Sequence, residues 1–204
     1  MIIRFVACVF LTIPLFGQQQ STDLYSNGKV RSEGQKDGTQ KVGEWKYFYP
    51  DGTRMAVENY SDGKLDGEVT YFFPSGSIQG TEHWEEGDLN DSARYYYPDG
   101  KIERFGRYEK GQYDGQWKYF HTNGVIERVL HYRDGLPDGV VNVFSERGTL
   151  LQVGSYLQGK EDGRWEFYTE DGQLNYSGYY KNGERVGEWF EYDRKGRKRH
   201  WRYK

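Results

Sequence analysis

Four histidines, His83, His121, His131 and His200, are the side chains best suited to hold a metal or pass a proton near neutral pH. His83 and His131 fall at the same place in two units of an internal repeat described below. At two strands per unit they stand roughly 19 Å apart, too far to share one ion. Carboxylates gather at Asp62–Asp66, Glu161-Asp162 and Glu170-Asp171, but these are turn positions, where Asp serves local hydrogen bonding. No calcium-loop spacing, nucleophile elbow, phosphate loop or dinucleotide fingerprint accompanies them. The single cysteine, Cys8, lies in an apolar leader. The rest of the chain therefore offers no thiol nucleophile, no disulfide and no cysteine metal site. The expectation is a protein that is not an enzyme, with no catalytic residues, no metal and no cofactor.

What the chain has in quantity is aromatic and glycine residues: 19 Tyr, 6 Trp and 27 Gly in 204 residues, at a net charge of -3. Aliphatic residues are few enough to suggest disorder, but disordered segments lack aromatics and carry more net charge. Short strands joined by tight turns fit this composition; a helical domain, a doubly wound α/β enzyme and a coiled coil do not. At the amino terminus, Arg4 precedes an apolar run from Phe5 to Phe16, followed by Gly17 and three glutamines. That layout is expected of a secretory signal over 1–17, too short to span a bilayer. Export to the periplasm, cell envelope or medium follows as an expectation.

The period is 24 residues and needs no gaps. With unit starts at Gly43, Gly67, Asp91, Gly115, Gly139, Gly163 and Gly187, the sixth position is aromatic throughout, from Phe48 to Tyr192. The tenth is always glycine, and the twenty-first is glycine in the six units that reach it. Each unit reads as two strands and two turns, one turn like Pro50-Asp51-Gly52 and one like Asp62-Gly63. The expected fold is all-β: an elongated, single-layer antiparallel meander of about seven hairpin units. Residues 18–42 would form a degenerate amino-terminal cap and 43–204 the repeats.

Two columns stand out. Where position 16 is glycine, the residue eleven places later is tryptophan: Gly34 and Trp45, Gly106 and Trp117, Gly154 and Trp165, Gly178 and Trp189. Where position 16 is Glu58, Glu82 or Leu130, that later residue is Val69, Ala93 or Val141. A hairpin about the Asp-Gly turn is expected to set glycine and indole opposite each other on one face. Second, aromatics at positions 5 and 7 concentrate in the first half: Tyr47, Tyr49, Tyr71, Phe73, Tyr95 and Tyr97. Position 7 then becomes His121, Ser145, Thr169 and Asp193. A row that stops partway serves a local purpose, and these six residues are the candidate binding surface. Changing Tyr49, Phe73 and Tyr97 to Ser is expected to spare the fold.

The cores GEWKYFYPDG (Gly43 to Gly52), GEVTYFFPSG (Gly67 to Gly76), GQWKYFHTNG (Gly115 to Gly124) and GRWEFYTEDG (Gly163 to Gly172) resemble the bacterial variant of MORN (membrane occupation and recognition nexus) repeats. Such repeats occur in the YwqK family, whose members are called antitoxins. The resemblance implies an open β-sheet solenoid and a role in protein contact, membrane association or scaffolding. An export signal is at odds with a cytosolic antitoxin. The function expected is an exported scaffold whose sheet surface binds another macromolecule, foremost a protein. The alternative is an envelope glycan or anionic lipid binder using aromatic platforms; nucleic acid is not expected. At the carboxyl end, Arg194, Lys195, Arg197, Lys198, Arg199, Arg202 and Lys204 oppose only Asp193. This basic run is read first as protection of an open sheet edge, and second as contact with an anionic surface.

Overall fold

The computed structural model describes residues 17–202. Most of the expected export signal, Cys8 included, falls outside the described residues. Within them lie nineteen strands and no helix, running from Gln19–Leu24 to Lys198–His200. Each strand pairs antiparallel with its neighbours in sequence, as the meander requires. Among the described residues Gln19–Leu24 pairs only with Val30–Asp37, and Lys198–His200 only with Glu184–Tyr192, so these two strands are the open edges of the described sheet. Three rows are split in two, as where Lys64–Leu65 is followed by Gly67–Phe72. Counting each split row once leaves about sixteen rows, or roughly 70 Å of sheet at 4.8 Å per strand.

Turn chemistry sets this topology. In the six turns from Asp62-Gly63 to Asn182-Gly183, both central residues have positive φ, 48° and 80° in the first. That is the type I′ turn, whose twist matches the strands it joins. The earliest equivalent differs: Gly38 has φ 60° and Thr39 is not in the left-handed region, the pattern of a type II′ turn. The opposite turns close with Gly52 N–H donating to Tyr49 O and Tyr49 N–H to Thr53 O, each 2.8 Å. The same pair recurs in every unit through Asp193.

A single-layer sheet has no second layer to cover it, so its core is built on one row of side chains, joined by Ala56, Tyr108 and Leu130 on the same face. That row is position 3: Trp45, Val69, Ala93, Trp117, Val141, Trp165 and Trp189, none more than 4% exposed. Neighbouring rings enclose it. Trp117 meets Tyr108 and Tyr113 edge-on at 5.0 and 4.5 Å, and Trp165 meets Tyr156 and Tyr180 at 5.3 and 5.8 Å. Trp45 pairs with Glu58 and Tyr47 with Ala56, so positions 3 and 5 share their face with positions 14 and 16. This is the inner face below.

The glycine–tryptophan pairs meet, but not by the straight hairpin that spacing suggests. About the turn at Gly38, Lys36 pairs with Lys41 and Gln35 with Val42, which would set Gly34 against Gly43. Instead the register jumps, and Glu33 pairs with Lys46. The later strand holds two extra residues in a bulge, and this carries Trp45 onto Gly34. The same jump brings Trp117 to Gly106 and Trp189 to Gly178. A Cβ on Gly34, Gly106, Gly154 or Gly178 would lie under 3.0 Å from indole atoms. Each indole N–H then donates to a backbone carbonyl ten residues back: Gln35, Arg107, Ser155 and Tyr179, at 2.9–3.2 Å.

The basic carboxyl end belongs to the sheet. Lys198–His200 pairs with the preceding strand, Trp201 N–H donates to Trp189 O at 2.8 Å, and its ring rests against Trp189 and Tyr176. Asp193 is taken up by its own turn, accepting from the Lys195 and Arg197 N–H groups and the Arg197 side chain.

Candidate functional site

The six aromatic candidates divide by position. Those at position 7 hold one unit to the next. Tyr49 O–H donates to Phe72 O at 2.9 Å and Tyr97 O–H to Phe120 O at 2.7 Å. Tyr25, one unit earlier, does the same to Phe48 O, and His121 Nε2 lies 2.9 Å from Phe144 O. Phe73 has no hydroxyl and is half-buried. Where the row changes type, the bond turns inward. Ser145 Oγ accepts from the N–H groups of Arg147 and Thr149, and Thr169 Oγ1 from that of Gln173. The change along position 7 thus exchanges a latch between units for a cap within one turn. Removing Tyr49 and Tyr97 takes out two latches, so the triple serine variant is expected to lose stability, contrary to the expectation from sequence.

The position 5 residues Tyr47, Tyr71 and Tyr95 lie half-buried on the inner face beside the tryptophan row. Their hydroxyls join a polar network that sequence reading missed. Tyr47 and Tyr60 hydroxyls lie 3.2 Å apart, and Tyr60 donates to Glu58 at 2.6 Å. Tyr95 donates to Glu82 Oε1 at 2.5 Å, and Trp84 Nε1 to Glu82 Oε2 at 3.1 Å. Tyr71 stands between the two carboxylates and feels both. Burial, then hydrogen bonding and the adjacent carboxylates, push Tyr60 up to about 12 and hold Tyr47, Tyr71 and Tyr95 protonated still higher. These hydroxyls are fixed donors across the neutral range.

Lys41 completes the network at its amino-terminal end. Its ammonium lies 4.7 Å from the Trp45 and Tyr60 ring centres and 5.0 Å from that of Tyr47. It also donates to the Tyr47 hydroxyl and, at 3.3 Å, to that of Tyr60. Burial lowers its pKa from the usual lysine value, while the Glu58 carboxylate pulls the other way. Further along the face Arg104 and Arg128 lie 4.1 Å over the rings of Tyr95 and Tyr119, and the character changes. Position 16 becomes Gly106, Leu130, Gly154 and Gly178, with no carboxylate.

The model of the MORN repeat variant matches residues 41–62, 65–86, 113–134 and 161–182. The chain is a MORN-variant repeat protein. The two windows between the last three matches have the same hairpins and turns, so the MORN-variant architecture continues through them. No curated protein matches the chain. Among solved structures, a mutant of S. aureus TarM in complex with fondaparinux, α-GlcNAc-glycerol and UDP matches at 11% identity and a TM-score of 0.27, over 59% of this chain and 19% of that one. The TcdB2-TccC3-Cdc42 and TcdB2-TccC3 structures match at 11% identity and a TM-score of 0.20, each over 86% of this chain and 13% of theirs. This MORN-variant chain spans less than a fifth of the length of each.

Proposed function

We propose that this MORN-variant protein is a non-enzymatic, exported scaffold that holds another protein against the inner face of its amino-terminal half. The observation that carries this reading is the tyrosine–carboxylate network from Lys41 to Tyr95. Its rings are half-exposed, and their hydroxyls are fixed by partners rather than free to rotate. Such a surface gives up little side-chain freedom on binding, and tyrosine supplies both apolar area and a polar tip. Export rests on residues 1–17. The test is photo-crosslinking in the producing cells, with a benzophenone amino acid at Tyr71 or Tyr95, or at Lys46 or Arg94 on the other face. A protein adduct from the first pair alone is expected. Adducts from neither, together with retention of a polysaccharide on a glycan array, would turn the assignment to the glycan-binding alternative.

A further inference from the structure

The first full repeat shows what the walls of this face can hold. Trp45, Tyr47 and Tyr60 surround the Lys41 ammonium, and Glu58 supplies the opposite charge. In repeat positions, these are an aromatic at 5, an aromatic at 18 and a glutamate at 16, with the guest arriving from position 23 of the unit before. The second repeat carries the same set in Tyr71, Trp84 and Glu82. Its position 23, however, is Leu65, which brings no charge. Val69, fully buried, stands where Trp45 stood, so the wall beneath is aliphatic instead of aromatic.

Glu82 is half-buried and held in place. Both its oxygens accept hydrogen bonds, from Tyr95 and Trp84, which fixes the carboxylate's position. Among the described residues no ion pair reaches it. The Arg104 guanidinium lies over the Tyr95 ring and pairs with Glu103 at 3.0 Å. A half-buried carboxylate beside aromatic faces favours a cation that can donate to it while resting on the rings. We propose that Glu82, walled by Tyr71, Trp84 and Tyr95, receives a lysine side chain of the bound protein, much as the rings beside Glu58 hold Lys41 within the chain, where the Tyr60 hydroxyl links ammonium and carboxylate. This rests on the protein-binding reading above and names the group recognised.

Trp84 provides the readout, because its indole N–H donates to the carboxylate in question. The protein, labelled with nitrogen-15, is titrated with acetyl-Gly-Lys-Gly-amide at low ionic strength, and separately with the norleucine analogue. A saturable shift of the Trp84 indole resonance with the lysine peptide alone is expected. Glu82→Gln keeps the size and an acceptor, and should weaken binding by about tenfold or more, as for a lost charged hydrogen bond. Glu68→Gln, an exposed carboxylate of the same repeat on the opposite face of the sheet, should leave the Trp84 titration unchanged. Equal binding of the norleucine peptide, or an undiminished titration in Glu82→Gln, overturns the proposal. If those results come while Tyr71 or Tyr95 still crosslinks a protein, the scaffold reading stands and only the lysine assignment falls.

Discussion

Replacing Gly154 by alanine isolates the close approach that builds the core row. The backbone there is in an ordinary strand conformation, so alanine brings no φ strain and the new methyl is the whole perturbation. It would lie under 3.0 Å from three atoms of the Trp165 indole, which is 4% exposed. The ring cannot stay. Expelling it forfeits much of the roughly 150–250 Å² an aromatic buries, about 4–6 kcal/mol at about 25 cal/mol per Å². The indole bond to Ser155 O, at 3.2 Å, adds about 1 kcal/mol. Partial reburial elsewhere brings the expected loss to about 3–5 kcal/mol, the range seen when a core aromatic is truncated. In a chain of this size that lowers Tm by roughly 6–20 °C. Urea unfolding followed by circular dichroism gives the value. The decisive comparison is Gly154→Ala in a Trp165→Ala background, where the methyl meets no ring and should cost under about 1 kcal/mol. An equal penalty in both backgrounds would show that the indole is not what the glycine accommodates.

Other outcomes follow from the same geometry. Tyr49→Phe and Tyr97→Phe should each cost about 1 kcal/mol by denaturant titration, and Ser145→Ala about as much through its turn. Asp91, with φ 59° where six sister units have glycine, should gain about 0.5–1 kcal/mol as Asp91→Gly, measured the same way. Stability should be full below pH 10, the tyrosine value in an unfolded chain, and fall as pH rises toward 12 and beyond. The folded state holds protons on Tyr60 and Tyr168 that the unfolded chain releases earlier, so tyrosinate absorbance should appear together with unfolding. Small-angle scattering should give a particle roughly 70 Å long for the sheet, where a compact one would contradict the meander.

The period, the two turn types and the buried tryptophan row were legible because each is a local rule repeated. A glycine at a fixed offset and a ring at another survive in composition however the units drift. The bulge that carries Trp45 to Gly34 was not, since spacing alone is satisfied by a straight hairpin with a different partner. Nor was the part played by Tyr49 and Tyr97, whose hydroxyls reach a carbonyl 23 residues away in the next unit. Read along one strand, such a column looks like an exposed stripe. Glu58 and Glu82 were noticed only as residues that are not glycine. The available signal was their recurrence beside Tyr60 and Trp84 at positions 16 and 18, which puts charge next to a ring on the same face.

The packing of indole on glycine crosses the line at which the 24-residue period is most naturally cut. Gly154 closes one unit and Trp165 opens the next. A segment duplicated or transplanted from one glycine start to the next would separate such partners, matching an indole to Glu or Leu, or leaving a glycine beneath a small side chain. Segments bounded at the Pro-Asp-Gly type of turn keep both partners in one piece. Exchange between chains of this kind should therefore succeed at residues 50–52, 98–100 or 170–172 and fail at residues 43, 115 or 163. The unit that can be inherited intact is offset by about ten residues from the unit the eye reads.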